Sequence, residues 1–299
     1  MDRDASWRDR LTGVVPTEIG EMRVLLVGCG SVGSFVAAEL VRAGIKKLTL
    51  VDPDIVEWHN LTRTVYGHGD VGIHKVDALR THLLHIFNDL DVVTYSDAIE
   101  NIDISLYLNT LGQADIVIVA VDDPKSQGYI DRYCYSLKKP VVVIGLYKGA
   151  KGGEIVIVYP PITPCYYCST GGVRIVFSDI VDMDAVVRDR DYGTSRLTSE
   201  IALGVDIHFV SCAAVKVVLA LLSMGQDGRL GRFLSLQQLE QGGNFIIFGM
   251  EPNYYLFPKC FGDTPGQHAF QSVWVKAERN PQCSVCGNPE VREKPRGVD

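Results

Sequence analysis

Two groups of residues in this 299-residue chain have the types and spacing to do chemistry. The first begins with a glycine turn, Gly28-Cys29-Gly30-Ser31-Val32-Gly33, directly after the apolar run Val24-Leu25-Leu26-Val27. Asp52 closes the next apolar run, and Asn60, Arg63 and Lys75 follow it. Gly28 suits a tight turn out of a strand, Gly30 the approach of a phosphate to the backbone, and Gly33 close packing of helix on sheet. The helix start at Ser31 offers unpaired N–H groups and the positive end of a dipole to an anion. Asp52 lies near the spacing at which an acid meets ribose hydroxyls. A dinucleotide leaves Arg63 and Lys75 without a task. With Asp122, at the end of a fourth apolar run, they suit a magnesium triphosphate: Arg63 and Lys75 on phosphate oxygens, Asp122 on the metal. Singly, each residue reads as a solvated charge or a glycine kept for packing. Their joint spacing carries the argument.

The second group is a pair of CxxC turns, Cys165-Tyr166-Tyr167-Cys168 and Cys283-Ser284-Val285-Cys286. Two such turns close a tetrahedral four-cysteine zinc site, and four thiolates leave no open position for catalysis. Such a site clips the end of the chain back to its middle. A redox CxxC has no use for the second pair. The remaining thiols read more simply. Cys29 is a small packing residue in the glycine turn, and Cys134 and Cys212 are buried thiols on apolar helices. Cys260, beside Lys259, is the one loop thiol with a neighbouring cation to favour its thiolate. His59 and His74 fall inside the phosphate segments, and His208 reads as a core histidine. Lys148 and Lys151 flank Gly149 without a decided role.

The elements that position these residues follow from periodicity. Short apolar runs at Val24–Gly28, Leu48–Asp52, Val92–Tyr95, Ile116–Val121 and Val141–Ile144 predict strands buried on both faces. Segments Ser31–Ala43, Lys75–Asn88, Ile102–Leu111 and Ser126–Lys138 predict the helices between them. Alternating strands and helices imply a parallel sheet with right-handed crossovers. After Gly145 the pattern changes. Glu154–Tyr159 predicts a strand and Asp206–Met224 a long apolar helix. Arg232–Leu236, Phe245–Phe248, Tyr254–Phe257 and Val273–Lys276 predict antiparallel strands. Gly171–Glu200, polar and without period, reads as a long connection. The expected fold is α/β, doubly wound, with a mostly parallel sheet, an antiparallel C-terminal extension and a zinc-clipped C-terminus.

Composition sets bounds. The chain is 46% hydrophobic, enough for a sizeable core, and carries a net charge of −7. That balance gives no basic footprint for nucleic acid. No run is read as reaching the roughly 20 residues of a membrane span. The charged N-terminus lacks a signal-peptide core. A cytoplasmic location is the expectation, and eight cysteines there favour metal binding over a disulfide framework.

The stretch Val24–Asp123 resembles the ubiquitin-activating-enzyme-like adenylyltransferase superfamily, the MoeB/ThiF/HesA group. The glycine turn, Asp52-Pro53-Asp54-Ile55-Val56, Asn60-Leu61-Thr62-Arg63, Asp70-Val71-Gly72-Ile73-His74-Lys75-Val76 and Asp122 carry the likeness, and the split CxxC pairs extend it. The resemblance implies ATP-dependent adenylation of the C-terminal glycine of a ubiquitin-like or sulfur-carrier protein ending in Gly-Gly. Pyrophosphate leaves, and Mg2+ and Zn2+ are the metals. It assigns Gly28, Gly30 and Gly33 to the nucleotide, Asp52 to ribose, Asn60, Arg63 and Lys75 to phosphates, and Asp122 to magnesium. It implies a homodimer and one adenylation domain over 1–299. Residues 1–150 form the nucleotide-binding half; 151–299 hold the crossover connection, the zinc site and the carrier-binding half. Arg8 and Arg10 are candidates for an arginine supplied to a partner subunit. Thr64, Asp123 and Gln127 depart from the family's usual Gln, Asn and Arg. Relatives often carry a thioester-forming or persulfide-forming cysteine in the crossover; this chain has none between Ser169 and Ser211. Other readings are an NAD-dependent oxidoreductase, a peptide-adenylating or tRNA-modifying relative, and a non-catalytic partner subunit.

Overall fold

The computed structural model describes residues 8–171, 202–252, 254 and 268–298. Its strands are β1 (Arg23–Val27), β2 (Lys47–Val51), β3 (Asp91–Tyr95), β4 (Ile116–Val119), β5 (Val141–Leu146), β6 (Gly152–Val158), β7 (Phe245–Gly249) and β8 (Gln271–Val275). They form one sheet in the order β3-β2-β1-β4-β5-β6-β7-β8. β1 to β5 pair in parallel. β6, β7 and β8 then add antiparallel. The sequence-based fold class is the observed one.

The strands alternate their side chains between two cores, which is why they read as continuous apolar runs. Val24 and Leu26 of β1, Ile116 and Ile118 of β4, and Ile155 and Ile157 of β6 face one core. Leu25, Val27, Val117, Val119, Val156 and Val158 face the other. Helices α1 (Ser31–Arg42), α2 (Lys75–Ile86) and α5 (Gly204–Leu222) cover the first face. Helices α3 (Ile104–Gln113) and α4 (Pro124–Ser136) cover the second. A short α6 (Leu236–Gly242) precedes β7.

Helix starts follow local chemistry. Asp103 caps α3, Asp123 caps α4 and Ser235 caps α6, each accepting a backbone N–H from its helix. α1 starts after Gly30 with no side-chain cap. Its first N–H groups therefore stay available to an anion.

Two sequence expectations change. Arg232–Leu236 is no strand; it is a turn in which Leu234 is buried and Ser235 opens α6. Its apolar alternation comes from one anchoring leucine beside a half-exposed Phe233. α5 is long and apolar enough to cross a membrane by length and composition, with a mean hydropathy of 2.0, contrary to the reading that no run approaches that length. Ten of its residues nevertheless lie buried against the sheet and α1. The expected connection Gly171–Glu200 lies, apart from Gly171, outside the described residues. So does all but Tyr254 of the expected strand Tyr254–Phe257.

Candidate functional site

The glycine turn leaves β1 at the carboxyl end of the parallel strands. Gly28 has φ +95°, and a Cβ there would meet the Ala120 carbonyl oxygen at 2.5 Å. The turn thus lies directly against the residues that follow β4, two positions before Asp122. A Cβ on Gly33 would meet the Gly28 oxygen at 1.9 Å, so α1 approaches the turn closely only because Gly33 has none. A Cβ on Gly30 would meet nothing within 4 Å. Gly28 and Gly33 are therefore required by packing, and Gly30 faces open space beside the uncapped start of α1.

Asp52 is 5% exposed. Its Oδ2 accepts the Cys29 N–H at 2.6 Å and its Oδ1 the Asp54 N–H at 2.9 Å. Burial raises the Asp52 carboxyl above its ordinary range, opposed by the Lys75 ammonium and these two N–H groups. Lys75 begins α2 and reaches back across the crevice. Its Nζ lies 2.8 Å from Asp54 Oδ2 and 4.0 Å from Asp52 Oδ1. Tyr66, which sequence reasoning missed, joins the two sides: its hydroxyl lies 2.6 Å from the Cys29 carbonyl and 3.2 Å from the Lys75 carbonyl. Burial pushes its phenol far above the ordinary tyrosine range. A lone aromatic after Thr64-Val65 carries no local signal of that role.

Asn60 and Arg63 sit on and just after the 3-10 turn Trp58–Thr62. Asn60 Oδ1 accepts the Glu57 N–H at 2.9 Å, which leaves its amide N–H groups to donate outward. Thr64, in place of the family's usual Gln, donates its hydroxyl to the Asn60 carbonyl at 2.8 Å. The Arg63 N–H also donates to that carbonyl, at 3.1 Å. The segment rests on the first turns of two helices: Val65 N–H approaches Ser34 Oγ of α1 at 3.4 Å, and Gly204 of α5 packs on Thr62 and Arg63. His208 hydrogen-bonds the Arg63 backbone and stacks on Phe35 at 4.1 Å; burial lowers its pKa. It is a half-buried histidine, not the satisfied core residue the sequence suggests, and it supports the Arg63 loop. His59 pairs with Glu57 at 3.2 Å, and His74 is the residue before α2.

Asp122 is exposed in the short loop between β4 and α4. Its neighbour Asp123 accepts both the N–H and the hydroxyl of Ser126 at 2.8 Å. Burial opposes ionisation of Asp123, but the Ser126 bonds outweigh it and hold the carboxyl below its ordinary value. Asp123 is thus the helix cap. Gln127, at the family's usual Arg position, is buried and bonds the Val121 carbonyl.

The structure brings the four paired cysteines together. All four Sγ atoms lie within 4.8 Å of one another, with Cys165–Cys283 at 3.8 Å and Cys168–Cys286 at 3.5 Å. Thiolates about 2.3 Å from a tetrahedral zinc stand about 3.8 Å apart. The donor set therefore fits zinc. Neighbouring Cys165 and Cys286 drive the Cys168 thiol toward thiolate. Asp131 of α4 accepts the Tyr166 N–H at 3.0 Å, and burial pushes its carboxyl up to about 7. The tail beyond these turns straps over α4: Arg132 pairs with Glu293 at 2.8 Å, and the Tyr133 hydroxyl donates to the Arg296 carbonyl at 3.1 Å.

Other candidates stand elsewhere. Arg8 donates to the carbonyls of Pro16 and Thr17 of its own chain at 2.8 and 2.9 Å, far from the glycine turn at the opposite end of the strands. Within this chain it braces the N-terminal segment; Arg10 is exposed. Lys151 pairs with Glu251 at 3.4 Å, and Lys148 lies on the turn after β5. Cys29 and Cys134 are buried, but Cys212 is exposed on the outer side of α5, against expectation. The apolar neighbours of Cys212 belong to the opposite face of the helix. Cys260 lies outside the described residues.

This fold and crevice define a protein class. The ThiF family model matches residues 14–252, and the chain belongs to the ThiF family. It is 32% identical to ubiquitin-like modifier-activating enzyme 5 of Caenorhabditis elegans, over 50% of this chain and 38% of that protein. The Drosophila melanogaster enzyme of the same name is 28% identical over 66% of this chain and 49% of its own length. An uncharacterized protein, y4oA of Sinorhizobium fredii, is 32% identical over 52% of this chain and 28% of that protein. The chain thus spans half or less of these relatives' lengths. Among solved structures, E. coli MccB with ATP superposes with a TM-score of 0.62 at 21% identity, covering 90% of this chain and 68% of MccB.

Proposed function

We propose that this chain is an ATP-dependent adenylyltransferase that activates the C-terminal glycine of a ubiquitin-like or sulfur-carrier protein. The observation that carries this reading is the joint placement of an open Gly30, an uncapped α1 start, buried Asp52 and Lys75 around one crevice, in a ThiF-family chain. The family relation to ubiquitin-like modifier-activating enzyme 5 supports the choice of substrate.

In this reading the N–H groups of Gly30 and the first turn of α1 receive phosphate oxygens. Asp52 holds the ribose. Asn60 donates its amide, and Arg63 and Lys75 neutralise charge on the phosphates. A carboxylate oxygen of the carrier attacks the α-phosphorus in line. The new O–P bond forms as the bond to the bridging oxygen breaks, and pyrophosphate leaves with that electron pair. No proton is transferred, so the residues act by positioning and by electrostatic stabilisation. Asp122 would hold Mg2+, whose charge further offsets that of the triphosphate. The four clustered cysteines would hold a structural Zn2+. We read residues 1–299 as one adenylation domain acting as a cytoplasmic homodimer. Exposed Leu203, Val205 and Phe209 at the start of α5 supply apolar surface for a partner. A short peptide is the second substrate reading, since MccB was solved in complex with N-formylated MccA.

The test is carrier-dependent exchange of pyrophosphate into ATP, together with mass detection of an adenylated C-terminus on co-purified carrier. Asp122→Ala and Arg63→Ala should each cost on the order of 10²-fold in exchange. Unchanged exchange in both variants overturns the site assignment. Adenylation of a peptide in place of a folded carrier selects the second reading. Binding of NAD with no binding of ATP overturns both.

A further inference from the structure

Asp122 sits between two residues that α4 holds in place. On one side the Gln127 side-chain amide donates to the Val121 carbonyl at 2.7 Å. On the other, Asp123 accepts the Gln127 backbone N–H at 3.1 Å and caps the helix through Ser126. The backbone on both sides of Asp122 is therefore stapled to one turn of α4, with Gln127 making a contact on each side.

Gln127 in turn is set by the cysteine cluster. The hydroxyl of Tyr166 donates to Gln127 Oε1 at 3.0 Å. The Val121 carbonyl can only accept, so it fixes which end of the amide is which: the NH2 group faces Val121, and the oxygen faces the Tyr166 hydroxyl. Tyr166 itself follows Cys165, and its own N–H donates to Asp131. Asp131 lies one helical turn after Gln127 on the same face of α4. Tyr166 thus grips α4 at two successive turns, by its backbone and by its hydroxyl. Gln127 and Tyr166 are 8% and 5% exposed and Asp131 is fully buried, so water does not compete for these bonds.

We propose that Gln127 and Tyr166 are positioning residues that couple the four-cysteine cluster to Asp122, and so set the affinity of the nucleotide crevice for Mg2+. The proposal rests on the reading of Asp122 as the Mg2+ acid. Neither residue is assigned a contact with the nucleotide in that reading. Each acts through the backbone that carries Asp122. Occupancy of the cysteine cluster is then felt at the crevice through one side chain on α4.

The test uses Tyr166→Phe, which keeps the ring and removes only the hydroxyl, Gln127→Leu, and the double variant. Three quantities are read in the full-length protein: zinc per chain, ATP affinity with EDTA and across a Mg2+ titration, and amide hydrogen exchange of the peptide spanning residues 120–127. Zinc content and ATP affinity in EDTA are expected to stay at wild-type values. The half-saturating Mg2+ concentration should rise a few-fold to about tenfold, the size set by one lost neutral hydrogen bond. Exchange in 120–127 should quicken in the same variants. The double variant should be no worse than Gln127→Leu, because both changes break one chain of contacts. Wild-type exchange and wild-type Mg2+ dependence in Tyr166→Phe overturn the proposal. So does an equal loss of ATP affinity with and without Mg2+, which marks general damage to the crevice. If the wild-type protein shows no Mg2+-dependent ATP binding at all, the reading of Asp122 fails. Faster exchange in Tyr166→Phe would then still support the staple, and unchanged exchange would end it.

Discussion

Asp52 Oδ2 accepts the Cys29 N–H at 2.6 Å, while its Oδ1 accepts the Asp54 N–H at 2.9 Å. One buried carboxylate therefore ties the glycine turn to the end of β2 and shapes the loop that follows. Both partners are donors, so a carboxamide can satisfy only one of them. Asp52→Asn is expected to lose about 1–3 kcal/mol of stability in urea denaturation. Its nucleotide affinity should fall as well. Wild-type stability in this variant would show that the turn does not need the carboxylate.

Gly30 and Gly33 of the turn should separate by experiment. A Cβ at Gly33 meets a carbonyl oxygen at 1.9 Å, whereas one at Gly30 meets nothing within 4 Å. Gly33→Ala should lose about 1–3 kcal/mol or more by overpacking. Gly30→Ala should keep its denaturation midpoint and lose ATP affinity, because its methyl stands where a phosphate approaches the backbone. Equal stability loss in the two variants would contradict this division.

The sequence made the local features legible and hid the long-range ones. The glycine turn, the acid after β2 and the CxxC pairs are readable because each is set by residues within a few positions. Tyr66, Gln127, Tyr166 and Asp131 bond partners far off in the chain, and nothing beside them in sequence announces those partners. Asp123 was legible only as a departure from the family's usual Asn; the two Ser126 bonds show it as the helix cap. Arg232–Leu236 misled because alternating apolar residues in a short turn imitate a strand. Cys212 misled because α5 is apolar on nearly every side, so its outer face cannot be told from its inner one by periodicity.

Lys75 gives a pH-dependent prediction. Burial raises the Asp52 carboxyl above 3.8, and the Lys75 charge limits that rise. A raised carboxyl costs stability once it ionises, so the cost is absent below 3.8 and complete above the folded-state pKa. Lys75→Met should raise the Asp52 pKa further. The stability gap between variant and wild type should therefore be smallest below pH 3.8 and grow as pH rises through the Asp52 titration. Denaturation curves at a series of pH values check this. A gap independent of pH would remove Lys75 as the partner of Asp52.

Zinc should bind at one per chain, held by Cys165, Cys168, Cys283 and Cys286, whose sulfurs already lie within 4.8 Å of each other. Structural zinc in peptides is worth roughly 10–16 kcal/mol at neutral pH. Its removal should free the tail that pairs Glu293 with Arg132 and Arg296 with Tyr133. Elemental analysis of protein purified without chelator, and limited proteolysis of Cys286→Ala, read the two effects. Freshly purified protein without zinc, or a variant tail as resistant as wild type, would count against the site.

The remaining thiols bear on whether, in the proposed reading, an acyl group is ever transferred to this chain. No cysteine lies in the crossover between Ser169 and Ser211. Burial pushes the Cys29 and Cys134 thiols well up, and burial with the nearby Glu39 raises Cys212. A thioester needs a thiolate with access to the adenylate, and none of these three supplies one. The expected product is a free carrier adenylate, released to a separate acceptor. Cys260, beside Lys259, is the thiol left to test. Activated carrier would be trapped with the enzyme and run under non-reducing conditions. No thiol-sensitive adduct should form while adenylate accumulates. An adduct abolished by Cys260→Ser and retained in Cys134→Ser would make Cys260 an acyl acceptor and would overturn the adenylation-only reading.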